Sequence, residues 1–68
     1  MPFLEVTLTE GRDPELLREF MGNLTNTVVD TLGVPIETVR VVLREVPPEN
    51  WCAGGVTIAE RRAKAATG

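Results

Sequence analysis

The chain has 68 residues, 43 % hydrophobic and 25 % charged, with a formal net charge of −3 at pH 7. That length fits a single domain over residues 1–68 with little interior to bury, and the acidic balance argues against a nucleic-acid partner, which would call for clustered Lys and Arg. With no histidine and a lone Cys52, one chain can build neither an internal disulfide nor a zinc site of the usual ligands.

Association with other subunits is the remaining way for so short a chain to complete its core. No apolar run approaches the ~20 residues of a membrane helix. The first residues lack the basic start and apolar stretch of a signal peptide. The expectation is a cytoplasmic protein with no membrane partner.

Residues Phe3 to Thr9 alternate, with Leu4, Val6 and Leu8 on one face and Phe3, Glu5, Thr7 and Thr9 on the other. This period of two predicts a strand, which Glu10-Gly11-Arg12 ends. Asp13-Pro14 reads as a helix start, an acceptor side chain at the cap followed by a residue whose φ is already helical. Leu16, Leu17, Phe20, Met21, Leu24, Val28 and Leu32 then recur every three or four residues, so the stripe predicts one helix over Pro14 to Leu32, capped by Gly33.

After Val34-Pro35, the β-branched run Val39 to Val46 predicts a second strand, with Val39, Val41 and Leu43 toward the helix. Strand, helix and strand imply a βαβ unit with parallel strands and a right-handed crossover. The opposite face carries Phe3, Val42 and Val46 beside Arg40 and Arg44, too apolar to be left to solvent, so it is expected to meet another subunit. Pro47-Pro48 closes the strand, and Ala53 to Ile58 can fold back as a short hairpin around Gly54-Gly55. The Ala-rich segment from Ala59 to Gly68 predicts a frayed helical turn or two. The fold class is therefore α/β, a βαβ unit plus a short C-terminal β-hairpin.

The sequence holds no Ser-His-Asp or Cys-His arrangement, phosphate loop, dinucleotide fingerprint or CxxC pair. What remains is Met1-Pro2 directly ahead of a strand. Methionine before a small residue such as proline is commonly trimmed, which would leave a secondary amine fixed at the end of a sheet. An ordinary α-amino group titrates near ~8, and desolvation or nearby cations favour its neutral form. Such an amine can relay a proton at physiological pH.

The order Met-Pro-strand, Glu10-Gly11-Arg12, capped long helix, Val39-Arg40-Val41, then Trp51 and Gly54-Gly55 resembles the 4-oxalocrotonate tautomerase family over Pro2 to about Ile58. The resemblance implies a cofactor-free isomerase that interconverts 2-hydroxydienoate and 2-oxo-enoate acids. Pro2 would be the base, and Arg12 would bind the far carboxylate of a diacid. Arg40, supplied by a neighbouring subunit, would hold the 2-oxygen and one carboxylate oxygen. Trp51 would be the apolar wall, in a position where the family commonly has phenylalanine. The resemblance also implies a dimer with a four-stranded sheet and a homohexamer, with a heterohexamer of related subunits as the alternative.

Plainer roles stand beside these. Arg12 could be a solvated loop charge, and Arg40 could pair with Glu5 or Glu10, since an unpaired buried cation is costly. Trp51 could anchor an interface. Cys52 reads as a packing residue, and Arg61, Arg62 and Lys64 as a solvated tail. Two other functions compete. A hydratase or dehalogenase acting on 3-haloacrylates would need a water-activating carboxylate shortly after the aromatic wall, where Ala53 stands. A non-catalytic subunit would result if Met1 kept Pro2 blocked.

Overall fold

The computed structural model describes residues 1–67. In chain order it contains β1 (Phe3–Thr9), α1 (Pro14–Leu32), β2 (Arg40–Val46), the two-residue strands β3 (Cys52–Ala53) and β4 (Val56–Thr57), and α2 (Ile58–Thr67). Short 3-10 turns at Ile36–Thr38 and Pro48–Asn50 lead into β2 and β3.

β1 and β2 pair in parallel from Phe3 opposite Arg40 to Thr9 opposite Val46. The predicted alternation holds: Leu4, Val6, Leu8, Val41 and Leu43 are half-buried, whereas Phe3, Glu5, Thr7, Val42 and Arg44 are exposed. α1 lies on the first of these faces, against β2. Asp13 caps it by accepting the Glu15 N–H at 2.9 Å, and Pro14 occupies the first turn. At the other end Gly33 takes φ 69°, a left-handed conformation that glycine enters without a Cβ clash, and its N–H closes on Val29 O at 2.9 Å. The β3–β4 hairpin pairs Cys52 with Thr57 and Ala53 with Val56 around Gly54 and Gly55, at φ 61° and 82°. Two successive positive φ values are what a tight hairpin turn needs.

Two expectations need correction. β2 starts at Arg40 because Val39 closes the preceding 3-10 turn, its N–H bonded to Ile36 O. The C-terminal segment is a ten-residue helix and not a frayed turn or two. Its start is a capping box: Glu60 N–H donates to Thr57 Oγ1 at 3.1 Å, and the Thr57 hydroxyl and N–H reach back to Glu60 Oε1 at 3.0 and 3.4 Å.

The core is thin. Among the described residues Leu17 alone is a buried hydrophobic, while Phe3 is 59 % exposed and Val42 41 %. The radius of gyration is 15.8 Å and the extents are 48 × 24 × 16 Å. A compact domain of this length would have a radius of about 11 Å. The sheet has two strands, so β1 and β2 each keep one edge unpaired.

Candidate active site

The parallel register sets the position of each candidate residue. Pro2 lies one residue before β1, and its carbonyl accepts the backbone N–H of Arg40 at 3.0 Å. This bond continues the ladder and locks the chain start against the first residue of β2. Pro2 is half-buried, while Met1 ahead of it is 84 % exposed. Arg40 shares a face with Phe3, and its guanidinium donates to the Glu37 carbonyl in the middle of the preceding turn. Among the described residues it forms no ion pair.

Arg12 is at the other end of β1. Gly11 (φ 125°) turns the chain, and Arg12 Nη1 folds back to donate to Thr9 O at 2.9 Å. Seven strand residues at ~3.3 Å each put this guanidinium on the order of 20 Å from Pro2. Trp51 lies five residues past the end of β2, directly after the Pro48–Asn50 turn. It is half-buried, and its carbonyl accepts the Ile58 N–H at 2.9 Å, tying the hairpin to the start of α2. The fold therefore sets the backbones of Pro2 and Arg40 side by side at one end of the sheet and Arg12 at the other, so Pro2 and Arg12 are held apart within one chain.

Arg61 and Arg62 are not a free solvated tail. Arg61 Nη2 donates to Ala53 O at 3.2 Å and Arg62 Nη2 to Thr9 Oγ1 at 3.3 Å, so α2 is strapped across the hairpin and the end of β1. Arg12 and Arg62 thus converge on Thr9. The sequence signal for this arrangement was Thr57-x-x-Glu60, a capping box that starts the helix presenting both arginines. Neither Glu5 nor Glu10 pairs with Arg40 among the described residues, and Glu5 pairs with Arg44 at 3.6 Å.

A cleft of about 360 Å³ runs along α1 and the end of β1, with Leu8, Leu16, Leu17 and Phe20 as its apolar lining and Arg12 at its rim. Of the candidate residues it touches Arg12 but not Pro2, Arg40 or Trp51. Cys52 and Ala53 are both exposed. Among the described residues no group of three or more His, Cys, Asp or Glu side chains is placed to hold a metal ion, and no helix is long and apolar enough to cross a membrane.

Comparison with known proteins gives the family. Residues 2–61 match the family pattern described as tautomerase enzyme. A probable tautomerase of Ralstonia nicotianae is 48 % identical over 56 residues, covering 82 % of this chain and 80 % of the relative. A 2-hydroxymuconate tautomerase of Comamonas testosteroni is 37 % identical over 60 residues, covering 88 % of this chain and 95 % of the relative. Among solved structures, TomN, a 4-oxalocrotonate tautomerase homologue in the tomaymycin biosynthetic pathway, superposes with a TM-score of 0.88 at 48 % identity over 91 % of this chain and 95 % of its own. A heterohexamer 4-oxalocrotonate tautomerase from Chloroflexus aurantiacus superposes with a TM-score of 0.84 at 37 % identity, covering 88 % of this chain and 97 % of its own. The chain belongs to the tautomerase family and is an enzyme of the 4-oxalocrotonate tautomerase type.

Proposed function

We propose that the chain is a subunit of a cofactor-independent tautomerase that converts 2-hydroxydienoate acids to their 2-oxo isomers through the amine of Pro2, freed by removal of Met1. The observation that carries this reading is the split of the candidate residues between two ends of one sheet. A chain that cannot bring Pro2 and Arg12 together alone, and that leaves an apolar face and two strand edges uncovered, is built to complete its site with neighbours. Homologous structures include a heterohexamer, and the family resemblance favours a homohexamer here.

In this reading the neutral amine takes the proton of the 2-hydroxyl, the oxygen's electrons form the C2 carbonyl, and the conjugated double bonds shift along the chain. The resulting ammonium returns its proton to the carbon at the far end of the shifted system, so one group serves as acid and base. Arg40, supplied by a neighbouring subunit, fixes one carboxylate and stabilises charge on the 2-oxygen. Arg12 of another subunit grips the distal carboxylate, the bidentate fork favouring Arg over Lys. The Trp51 ring excludes water, which keeps the amine neutral and strengthens both ion pairs. The proton cycle closes on the amine and requires no cofactor.

Relatives named as 2-hydroxymuconate tautomerases support a dicarboxylate substrate of this class. The test is ketonisation of a 2-hydroxydienoate diacid, followed by its absorbance, with protein whose mass establishes whether Met1 is present. Activity should belong to the trimmed form. Equal turnover by fully Met1-retaining protein would remove Pro2 from the chemistry, and no turnover by the trimmed form would favour the non-catalytic subunit.

A further inference from the structure

Three charged side chains share the exposed face of the two-stranded sheet. Phe3 stands opposite Arg40, Glu5 opposite Val42 and Thr7 opposite Arg44. Glu5 is therefore diagonal to both Arg40 and Arg44, one row away in either direction, and diagonal neighbours on a sheet are within reach of long side chains. The carboxylate can engage one arginine or the other. In the structure it turns to Arg44, with Oε2 3.6 Å from Nη2, while the Arg40 guanidinium rests on the backbone carbonyl of Glu37.

The two choices differ in consequence. A backbone carbonyl is a neutral acceptor, so an arriving carboxylate can replace it at little cost. A carboxylate already on Arg40 would neutralise the guanidinium and compete directly with substrate, since charge-assisted bonds are the stronger ones. We propose that Arg44 is a positioning residue that holds Glu5 away from Arg40 and so keeps Arg40 available for the substrate carboxylate. The inference rests on the reading of Arg40 as a substrate ligand given above.

The pair is well exposed in the single chain, with side chains 66 % and 60 % accessible, so its effect there is modest and screened by salt. It lies beside Phe3 and Val42, the apolar patch whose coverage by another subunit would lower the local dielectric and strengthen the choice Glu5 makes.

The test uses the full chain and steady-state kinetics with a 2-hydroxydienoate diacid. Arg44→Gln releases Glu5, and KM should rise by roughly two- to five-fold, the range an exposed ion pair can exert, with kcat changed less than KM. The double variant Glu5→Gln/Arg44→Gln removes the competitor and should return KM to the wild-type value. Arg44→Lys keeps the charge and should leave KM close to wild type. The Arg44→Gln effect should shrink as salt is raised. An unchanged KM in Arg44→Gln, failure of the double variant to restore it, or a rise of the same size in Arg44→Lys would each overturn the proposal. Arg40→Ala separates the two levels: if it leaves KM and kcat untouched the substrate role of Arg40 fails, whereas a large loss there with a silent Arg44→Gln removes only the positioning role.

Discussion

Pro2 and Arg12 stand at opposite ends of β1, held there by the Arg40 N–H to Pro2 O bond at one end and the Arg12 Nη1 to Thr9 O bond at the other. A strand is a stiff spacer, so no side-chain rotation brings a proline ring and a guanidinium together across it. Any site that uses both must draw them from different chains.

Mixing should therefore rescue. Pro2→Ala and Arg12→Ala proteins, each poorly active, should regain activity when unfolded and refolded together, because some sites then combine an intact Pro2 with an intact Arg12. Random pairing restores about a quarter of the sites. Each arginine alone, in Arg12→Ala or Arg40→Ala, should lower kcat/KM by roughly ten- to a hundred-fold, the equivalent of about 1.5–3 kcal/mol for a hydrogen bond to a charged group. No recovery on mixing would mean that one chain supplies both residues.

Ala53, exposed in β3 with its carbonyl held by Arg61, offers no carboxylate to activate water. Turnover of 3-haloacrylates should be far slower than tautomerisation, as measured by halide release. Comparable rates would make hydration the primary chemistry.

The Thr57–Glu60 capping box should govern the integrity of α2. Thr57→Ala removes the acceptor for the Glu60 N–H and should cost about 1 kcal/mol, speeding hydrogen exchange of the α2 amides several-fold. Thr57→Ser should behave as wild type, since it keeps the oxygen. Fraying would also release Arg61 and Arg62 from Ala53 and Thr9, which links this local cap to the order of the sheet end where Arg12 lies.

What was legible in the sequence was periodic. The alternation of Leu4, Val6 and Leu8, the stripe from Leu16 to Leu32 and the paired glycines each carry a local signal that names the element before its partners are known. α2 was under-read because an alanine-rich, charged segment has no apolar stripe; its order comes from one cap and two arginine contacts, one of them reaching from Arg62 to Thr9 across 53 positions. The choice of Glu5 between Arg40 and Arg44 was equally hidden, since register makes both partners neighbours and only side-chain placement separates them. Arg12, Arg40 and Pro2 were visible through their motif, while their division between two ends of the sheet required the parallel register.

The Pro2 amine supplies a pH test with a definite sign. A base must be neutral to accept a proton, so kcat/KM should fall as pH drops through the ionisation of the amine. Arg40 and Arg12, brought to the amine by neighbouring subunits, both disfavour a positive nitrogen, and so does a dry Trp51 wall, which places that ionisation below the ~8 of a free terminus. Replacing either arginine with alanine should move the acidic limb of the profile upward. A limb that ignores both substitutions would mean that neither cation is near the reacting nitrogen.

Assembly is the prediction on which the shared site depends. One buried hydrophobic residue among those described cannot sustain a folded monomer. A 19-residue helix with Leu16 and Leu32 more than half exposed, and a sheet face with Phe3 at 59 %, leave too much apolar surface in water. The two open strand edges add unpaired backbone groups, which a second copy could satisfy by extending the sheet. Sedimentation at micromolar concentration should show a particle several times the 7.4 kDa mass of the chain. Dilution should cost activity and helical signal together, since folding and site completion share the same contacts. A folded, active monomer would sink the shared-site mechanism and return Arg12 to a solvated loop.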